Sequence, residues 1–187
     1  MATNTLLTVE EYAALQEPEG VRYELSEGEL IVTPSANFFH NELRDDLNAW
    51  LKAFVRSHKL GLVTSETDMK LAHDIVRRPD VAFISAERVR GIDLRKVPLP
   101  VSPDLVIEIV SENDRADDLI LKVRQYLAAG TRAAWLLYPN AHLAYRYVPG
   151  KLEPEVGSAD AGHAFEEPEM LPGFSIPLAE VFQHDYS

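Results

Sequence analysis

A chain of 187 residues with 46% hydrophobic and 26% charged residues is long enough for one domain with a substantial core, and we expect a single domain over 1–187. No apolar run approaches the ~20 residues that cross a bilayer, and the N-terminus lacks the basic and apolar segments of a secretion signal. The absence of cysteine excludes disulfides and thiolate chemistry and favours a cytoplasmic protein.

The net charge of −12 is concentrated at the two ends of the chain. Residues 1–30 carry seven acids and one base, and residues 150–187 carry eight acids and one base, so the segment between them has a net charge of +1. Within that segment, residues 77–96 contain six basic residues and three acidic ones. Two interpretations of this basic stretch remain open: a contact surface for a polyanion, or a solvated face.

The N-terminal half is predicted to combine short strands with one long helix. Thr8 and Glu11 have the capping-box spacing, a Ser-Glu-Gly sequence at 26–28 is typical of a hairpin turn, and apolar residues recur at helical spacing between 43 and 54. In chain order we predict a helix over 8–16, hairpin strands over 22–25 and 29–32, a helix over 37–58, strands over 62–71 and 78–84, and a loop with a helical turn over 86–102.

The C-terminal half contains a strand–helix–strand pattern over 104–110, 115–129 and 133–138. Such a unit implies two parallel strands joined by a right-handed crossover. We predict a hairpin partner over 142–148, and an acidic, proline-rich C-terminal extension from about 150 that ends in a helical turn over 178–182. The fold class is therefore α/β or α+β, with a mixed central sheet flanked by helices.

Glu108 interrupts the apolar strand PDLVIEIVS at 103–111. An ionised carboxylate removed from water costs several kcal/mol unless it is paired. One explanation is a structural ion pair with a core arginine or with Lys122. The other is a metal ion that neutralises the charge.

Three further charged residues break the pattern of their segments. Asp80 begins an apolar strand, Glu24 lies inside a hairpin strand, and Lys122 lies at the margin of the apolar arc of its helix. Each has a simple alternative: Asp80 caps a turn after proline, Glu24 occupies an exposed face, and Lys122 extends its ammonium into water. Taken together with Glu108, these residues are what Mg²⁺ and an activated water require, because Mg²⁺ is held by one or two carboxylates and keeps several waters.

The chain resembles the bacterial putative restriction endonuclease family of the PD-(D/E)XK phosphodiesterase superfamily in the segments YELSEGELIV, RPDVAFIS, PDLVIEIVSENDRADDLILKVRQYLAAG and AAWLLYP. The resemblance extends from about residue 8 to residue 182. It implies a restriction-endonuclease-like fold with a metal-dependent nuclease core. It also implies that Asp80, Glu108 and the backbone carbonyl of Ile109 bind the metal, with Glu24 as an accessory acid.

One position departs from the superfamily pattern. The E-X-K tripeptide places a lysine two residues after the glutamate, where this chain has Val110. The resemblance implies that the lysine has moved to the following helix, as Lys122, and we expect its side chain to reach Glu108. A site without this lysine ammonium would bind metal but would not cleave efficiently.

The leading hypothesis is a Mg²⁺- or Mn²⁺-dependent endonuclease that hydrolyses phosphodiester bonds in DNA. Asp80 and Glu108 hold the ion, Lys122 positions the attacking water, and Glu24 holds a second ion or helps to remove a proton. The alternative is a catalytically impaired DNA- or protein-binding module with the same fold. Motifs for zinc, phosphate-loop or serine-hydrolase chemistry are absent from the sequence.

Three secondary expectations complete the hypothesis. Gln125, three residues after Lys122, is a weaker candidate for orienting ligands. His40 is kept outside the catalytic set, because a lone histidine near a helix start is more often simply half-buried. A homodimer is expected, since nucleases of this superfamily often use two sites to address two strands.

Overall fold

The computed structural model describes residues 6–183. The α-helices and strands within this range are α1 (Val9–Ala13), β1 (Val21–Ser26), β2 (Glu29–Pro34), α2 (Phe38–Ser57), β3 (Gly61–Ser65), β4 (Met69–Ala72), β5 (Ile75–Arg77), β6 (Val81–Ser85), α3 (Ala86–Val89), β7 (Leu105–Ile109), α4 (Ala116–Ala128), β8 (Ala133–Tyr138), β9 (Leu143–Tyr147), β10 (Glu155–Ser158), β11 (Ala164–Glu166), β12 (Ser175–Pro177) and α5 (Leu178–Val181).

The strands form two larger sheets and one small one. The six-stranded sheet has the order β10-β9-β8-β7-β6-β3, and the four-stranded sheet has the order β2-β1-β5-β4. Strands β7 and β8 are parallel and are joined through α4, while the other pairs of the larger sheet are antiparallel. The predicted mixed sheet and its strand–helix–strand unit are confirmed.

Helices cover both faces of the six-stranded sheet. Helix α2 buries Leu43, Leu47 and two further apolar residues in the main core, together with Ile107 of β7. Helix α4 packs its own apolar residues against the opposite face of β8. Strand β7 lies between these layers, and all five of its residues are buried. This position explains its almost continuous apolar sequence.

Two predicted strands have different boundaries in the structure. The predicted strand over 62–71 is divided at residues 66–68, where Glu66 adopts a left-handed conformation with φ of 48°. Its first part is β3 of the six-stranded sheet and its second part is β4 of the four-stranded sheet. The predicted strand over 78–84 begins only at Val81, because residues 78–80 carry the chain from one sheet to the other. A single long strand cannot belong to both sheets.

The acidic C-terminal segment contributes to the main core. It forms three strands and a short helix, of which only the helix was predicted. Phe165, Leu171 and Val181 are buried in the same cluster as Trp135. The buried carboxylate of Glu167 accepts hydrogen bonds from Trp135 Nε1 at 2.6 Å and from Arg146 Nε at 2.7 Å, so this acid is satisfied within the protein.

Within residues 6–183, no helix is both long enough and apolar enough to cross a membrane.

Candidate active site

The pairing of β6 with β7 brings the two predicted metal ligands together. These strands are antiparallel, and Val81 opposite Ile107 is the last pair at this end of their ladder. Asp80 precedes Val81 and Glu108 follows Ile107, so both acids lie at the same end of the pairing. Asp80 Oδ2 also accepts a hydrogen bond from the Ile109 amide at 2.7 Å. Both acids are nearly buried, with Asp80 9% and Glu108 5% exposed.

Glu24 reaches the same place from the four-stranded sheet. The residue is 7% exposed, and its carboxylate accepts hydrogen bonds from Arg77 Nη1 at 3.0 Å and from the Arg78 amide at 2.7 Å. The alternative that Glu24 lies on an exposed hairpin face is therefore wrong. Burial raises the pKa of Glu24, but Lys122 and Arg77 outweigh it and hold the pKa below its usual range.

Lys122 joins the acids of the two sheets. Its Nζ lies 3.0 Å from Glu108 Oε2 and 3.1 Å from Glu24 Oε1. The predicted reach from α4 to Glu108 is confirmed, and the alternative that the ammonium extends into water is wrong. Burial lowers the pKa of Lys122, but Glu108 and Glu24 outweigh it and raise the pKa, so the lysine is protonated at neutral pH.

The second oxygen of Glu108 is bound by a residue that we did not predict. Tyr126 Oη donates a hydrogen bond to Glu108 Oε1 at 2.7 Å. Burial raises the pKa of Glu108 to about 7; Lys122 opposes this shift, and the negative charges of Asp80 and Glu24 add to it. Tyr126 follows Lys122 by four residues on α4, so helical periodicity placed it on the same side of the helix.

His40 also belongs to this cluster, although we assigned it no role from the sequence. Its Nε2 lies 3.2 Å from Asp80 Oδ2 and 3.1 Å from the carbonyl oxygen of Ile109. Burial lowers the pKa of His40, but the hydrogen bond and the charge of Asp80 outweigh it and raise the pKa. His40 lies in the first turn of α2, where its amide donates to the capping side chain of Asn37 at 2.9 Å.

Gln125 has a different role from the one we expected. Its Oε1 accepts a hydrogen bond from Arg77 Nε at 2.8 Å and its Nε2 donates to Ser26 Oγ at 3.0 Å. Arg77 Nη2 also donates to Ser26 Oγ at 3.0 Å. Gln125 is buried and holds Arg77 against Glu24, so it orients a protein side chain and not a ligand.

The cluster opens into a cavity of about 470 Å³ between the two sheets and helices α2 and α4. The lining includes the four predicted catalytic side chains and His40, together with Arg22, Arg78 and Arg115. The acids are thus buried from bulk water but remain accessible from the cavity.

Arginines of the basic stretch at 77–96 mostly bind acids of the protein itself. Arg77 is buried against Glu24, Arg78 binds Asp68 and Glu17, and Arg88 lies 3.1 Å from Asp104. For these three residues, neither a polyanion surface nor a solvated face is the right description. Arg77 and Arg78 line the cavity, while Arg88 binds the residues that lead into β7.

The donor atoms fit a hard divalent cation. Within residues 6–183 no three or more His, Asp or Glu side chains form a group that could hold a metal ion by themselves. The oxygens of Asp80, Glu108 and the Ile109 carbonyl are nevertheless the donor types that Mg²⁺ and Mn²⁺ prefer. Burial is the main cause of the raised pKa of Glu108, and the negative charges of Asp80 and Glu24 add to it, so a cation beside these acids would favour the ionised form of Glu108.

The comparison with known proteins identifies the family. A sequence model of the Uma2 family, described as putative restriction endonuclease, matches residues 9–179. The chain belongs to the Uma2 family. This confirms the resemblance stated from the sequence.

A solved structure shares the fold. The Uma2 chain is similar to a crystal structure of a putative nuclease belonging to DUF820 from Anabaena variabilis ATCC 29413, with a TM-score of 0.84 and 20% sequence identity. The match covers 95% of this chain and 98% of that one. At 20% identity the similarity shows that this chain and the putative nuclease share a fold. No curated protein matches the chain.

Proposed function

We propose that this Uma2 protein is a metal-dependent endonuclease that hydrolyses phosphodiester bonds in DNA. The observation that carries the proposal is that Asp80, just before β6, Glu108 of β7 and Lys122 of α4 line one cavity. Membership of a family described as putative restriction endonuclease, and a fold shared with a protein described as a putative nuclease, support the same reaction class.

The protein's own groups divide the work of hydrolysis. Asp80, Glu108 and the Ile109 carbonyl would hold Mg²⁺ or Mn²⁺, which when bound polarises the phosphate and lowers the pKa of a water. Lys122, protonated and fixed by two carboxylates, would orient that water and offset the charge that develops on the phosphate.

Glu24 acts through Lys122 in this proposal. Both of its oxygens already accept hydrogen bonds from Arg77 and the Arg78 amide, and one of them also contacts Lys122. These contacts favour a positioning role for Glu24 over the second-ion or proton-removing role considered from the sequence.

DNA is the proposed substrate because the family is described as putative restriction endonuclease and because the DNA backbone supplies the phosphodiester that such a site requires. Arg115 lines the cavity at the start of α4 and its side chain is 78% exposed, so it is available to a backbone phosphate. Because the protein as a whole carries a charge of −12, we expect weak, salt-sensitive binding that depends on the few cations around the cavity.

The decisive experiment is divalent-metal-dependent nicking of supercoiled plasmid by Asp80→Asn and Glu108→Gln. Each variant is expected to lose about 10²- to 10³-fold in rate, the cost of removing one preorganised electrostatic contact. Glu87→Gln, an exposed acid in α3, is the matched control and should cleave like wild type. Unchanged nicking by Asp80→Asn and Glu108→Gln would contradict the proposal, and cleavage of RNA alone would reassign the substrate.

A second candidate function is a catalytically impaired binding module. It is favoured by the fact that both oxygens of Glu108 and of Glu24 already have protein partners without any ion. Isothermal titration with Mn²⁺ separates the candidates. Binding that Glu108→Gln abolishes supports the nuclease, whereas no binding by a folded wild-type protein supports the module.

We further propose that the protein is a homodimer in the cytoplasm. The dimer would present two sites to two strands, and exposed apolar residues lie beside the cavity: Val32 is 54% and Phe38 is 64% exposed. Light scattering that gives a monomer at micromolar concentration would contradict the dimer. Location in the reducing cytoplasm rests on the absence of cysteine.

A further inference from the structure

We propose that His40 is a direct nitrogen ligand of the catalytic cation and that it makes the site selective for Mn²⁺ over Mg²⁺. This inference rests on the metal site of the proposed function and deepens it. The nitrogen donor comes from α2, a helix that contributes none of the ligands inferred from the sequence.

The distances around His40 Nε2 suit a shared cation. Nε2 lies 3.2 Å from Asp80 Oδ2 and 3.1 Å from the Ile109 carbonyl oxygen, both of which are proposed ligands. Neighbouring corners of an octahedron with bonds of about 2.1 Å are about 3.0 Å apart. His40 Nε2 is therefore at the spacing of a neighbouring ligand from each of the two oxygens, and one ion could be bound by the nitrogen together with either of them.

The ring of His40 is held through this one nitrogen. Its Nδ1 is buried and, among residues 6–183, has no hydrogen-bond partner. The polar contacts that orient the imidazole are therefore those of Nε2 with Asp80 and Ile109. The single hydrogen on Nε2 has two oxygen acceptors within reach. A bound cation could instead be coordinated by both oxygens and by the imidazole nitrogen at once.

The chemistry of imidazole decides which ion this arrangement favours. Carboxylate and carbonyl oxygens accept Mg²⁺, Ca²⁺ and Mn²⁺, whereas a neutral imidazole suits first-row transition metals. Mg²⁺ also releases its waters reluctantly. A site with the three oxygen donors of the proposed function and the nitrogen of His40 should therefore prefer Mn²⁺, while a site with oxygens alone should distinguish the two ions poorly.

The test is calorimetric titration of the metal-free protein with Mn²⁺ and separately with Mg²⁺, using wild type, His40→Gln, His58→Gln and Asp80→Asn. We expect wild type to bind Mn²⁺ at least about tenfold more tightly than Mg²⁺. His40→Gln should weaken Mn²⁺ binding by about 10- to 100-fold and change Mg²⁺ binding by less than about threefold. His58→Gln, at the far end of α2, is the matched control and should match wild type.

A spectroscopic readout separates ligation from a structural role. Electron spin-echo measurements on the Mn²⁺-loaded protein should show a directly bound nitrogen in wild type and in His58→Gln, and none in His40→Gln. A structural histidine would change the folding stability of His40→Gln without changing metal selectivity or the nitrogen signal.

The failures of the two proposals are distinguishable. The role of His40 would be overturned if wild type binds both ions, Asp80→Asn binds neither, and His40→Gln keeps the selectivity of wild type. The nuclease proposal would then remain intact. Folded wild type that binds neither ion would overturn the metal site itself, and with it both proposals.

Discussion

The ammonium of Lys122 lies 3.0 Å from Glu108 Oε2, although the two residues are fourteen positions apart and on different elements. Val110, which occupies the usual lysine position two residues after the glutamate, packs instead against the apolar cluster of α4 that includes Val123. Helix α4 thus supplies the positive charge beside Glu108 that strand β7 lacks. The lysine therefore contacts the glutamate from α4 and not from β7.

Replacement of Lys122 tests whether this contact serves catalysis. Lys122→Met should lower metal-dependent nicking by about 10²-fold, because the water loses its orienting cation and the transition state loses a positive charge. Steady-state nicking rates at saturating Mn²⁺ measure the effect. Lys96→Met, an exposed lysine outside the cavity, should leave the rate unchanged.

A relocated lysine provides a stricter version of the same test. Adding Val110→Lys to Lys122→Met returns an ammonium to the strand position beside Glu108, and the double variant should recover part of the lost rate. Circular dichroism must show that both variants fold. Recovery in the double variant would be unexpected if Lys122 served only to hold the sheets together.

Tyr126→Phe should destabilise the protein, and more so at high pH. The phenol donates to Glu108 at 2.7 Å, and a buried hydrogen bond to a charged group contributes about 1.5–3 kcal/mol. Since the pKa of Glu108 is raised to about 7, the acceptor is ionised at pH 8 and largely neutral at pH 5. Urea denaturation at the two pH values should show the larger loss at pH 8; equal losses would mean that Glu108 does not titrate between them.

Glu108 should also make the metal-free protein less stable as the pH rises. Its pKa is raised from 4.5 to about 7, so the folded state holds a proton that the unfolded state has released. The stabilisation is fully present below about pH 4.5 and is lost as the pH rises through about 7. The test is the difference in unfolding free energy between wild type and Glu108→Gln, both measured in EDTA. This difference should fall across the interval, and a difference that does not change with pH would contradict the raised pKa.

Sequence patterns were sufficient to predict contacts where a charged residue lies in or beside an otherwise apolar segment. Glu108 in an apolar strand and Lys122 at the edge of an apolar arc both pointed to contacts that the structure contains. Tyr126 could have been found in the same way, because it lies one turn after Lys122. These signals are local, and strand or helix periodicity is enough to read them.

The remaining contacts depend on how distant elements pack, which periodicity does not encode. His40 and Ile109 are 69 residues apart and meet only because α2 packs across the end of β7. The division of the predicted 62–71 strand likewise follows from the presence of two sheets. The C-terminal strands were missed because each is only three or four residues long and lies in a segment rich in acidic residues and proline, although Phe165 packs edge-on against Trp135 with ring centres 4.7 Å apart.

Arg77 should be the residue on which the geometry of the cluster depends most. Its guanidinium is nearly buried and binds Glu24, Gln125 and Ser26. Removing one partner of a buried pair typically costs about 3–5 kcal/mol, because the other charge stays buried without compensation. Arg77→Met is expected to lose an amount in this range, measured as the free energy of unfolding in urea.

The double variant Arg77→Met/Glu24→Gln shows whether that loss comes from the stranded charge of Glu24. Because the second change neutralises the buried acid, the double variant should be less destabilised than the sum of the two single changes. Arg95→Met, which removes an exposed partner of Asp93, should leave the unfolding free energy unchanged. Additive losses in the double variant would mean that Arg77 stabilises the protein through its contacts with Gln125 and Ser26. The contacts that hold Glu24 in the cavity would then be those with Lys122 and the Arg78 amide.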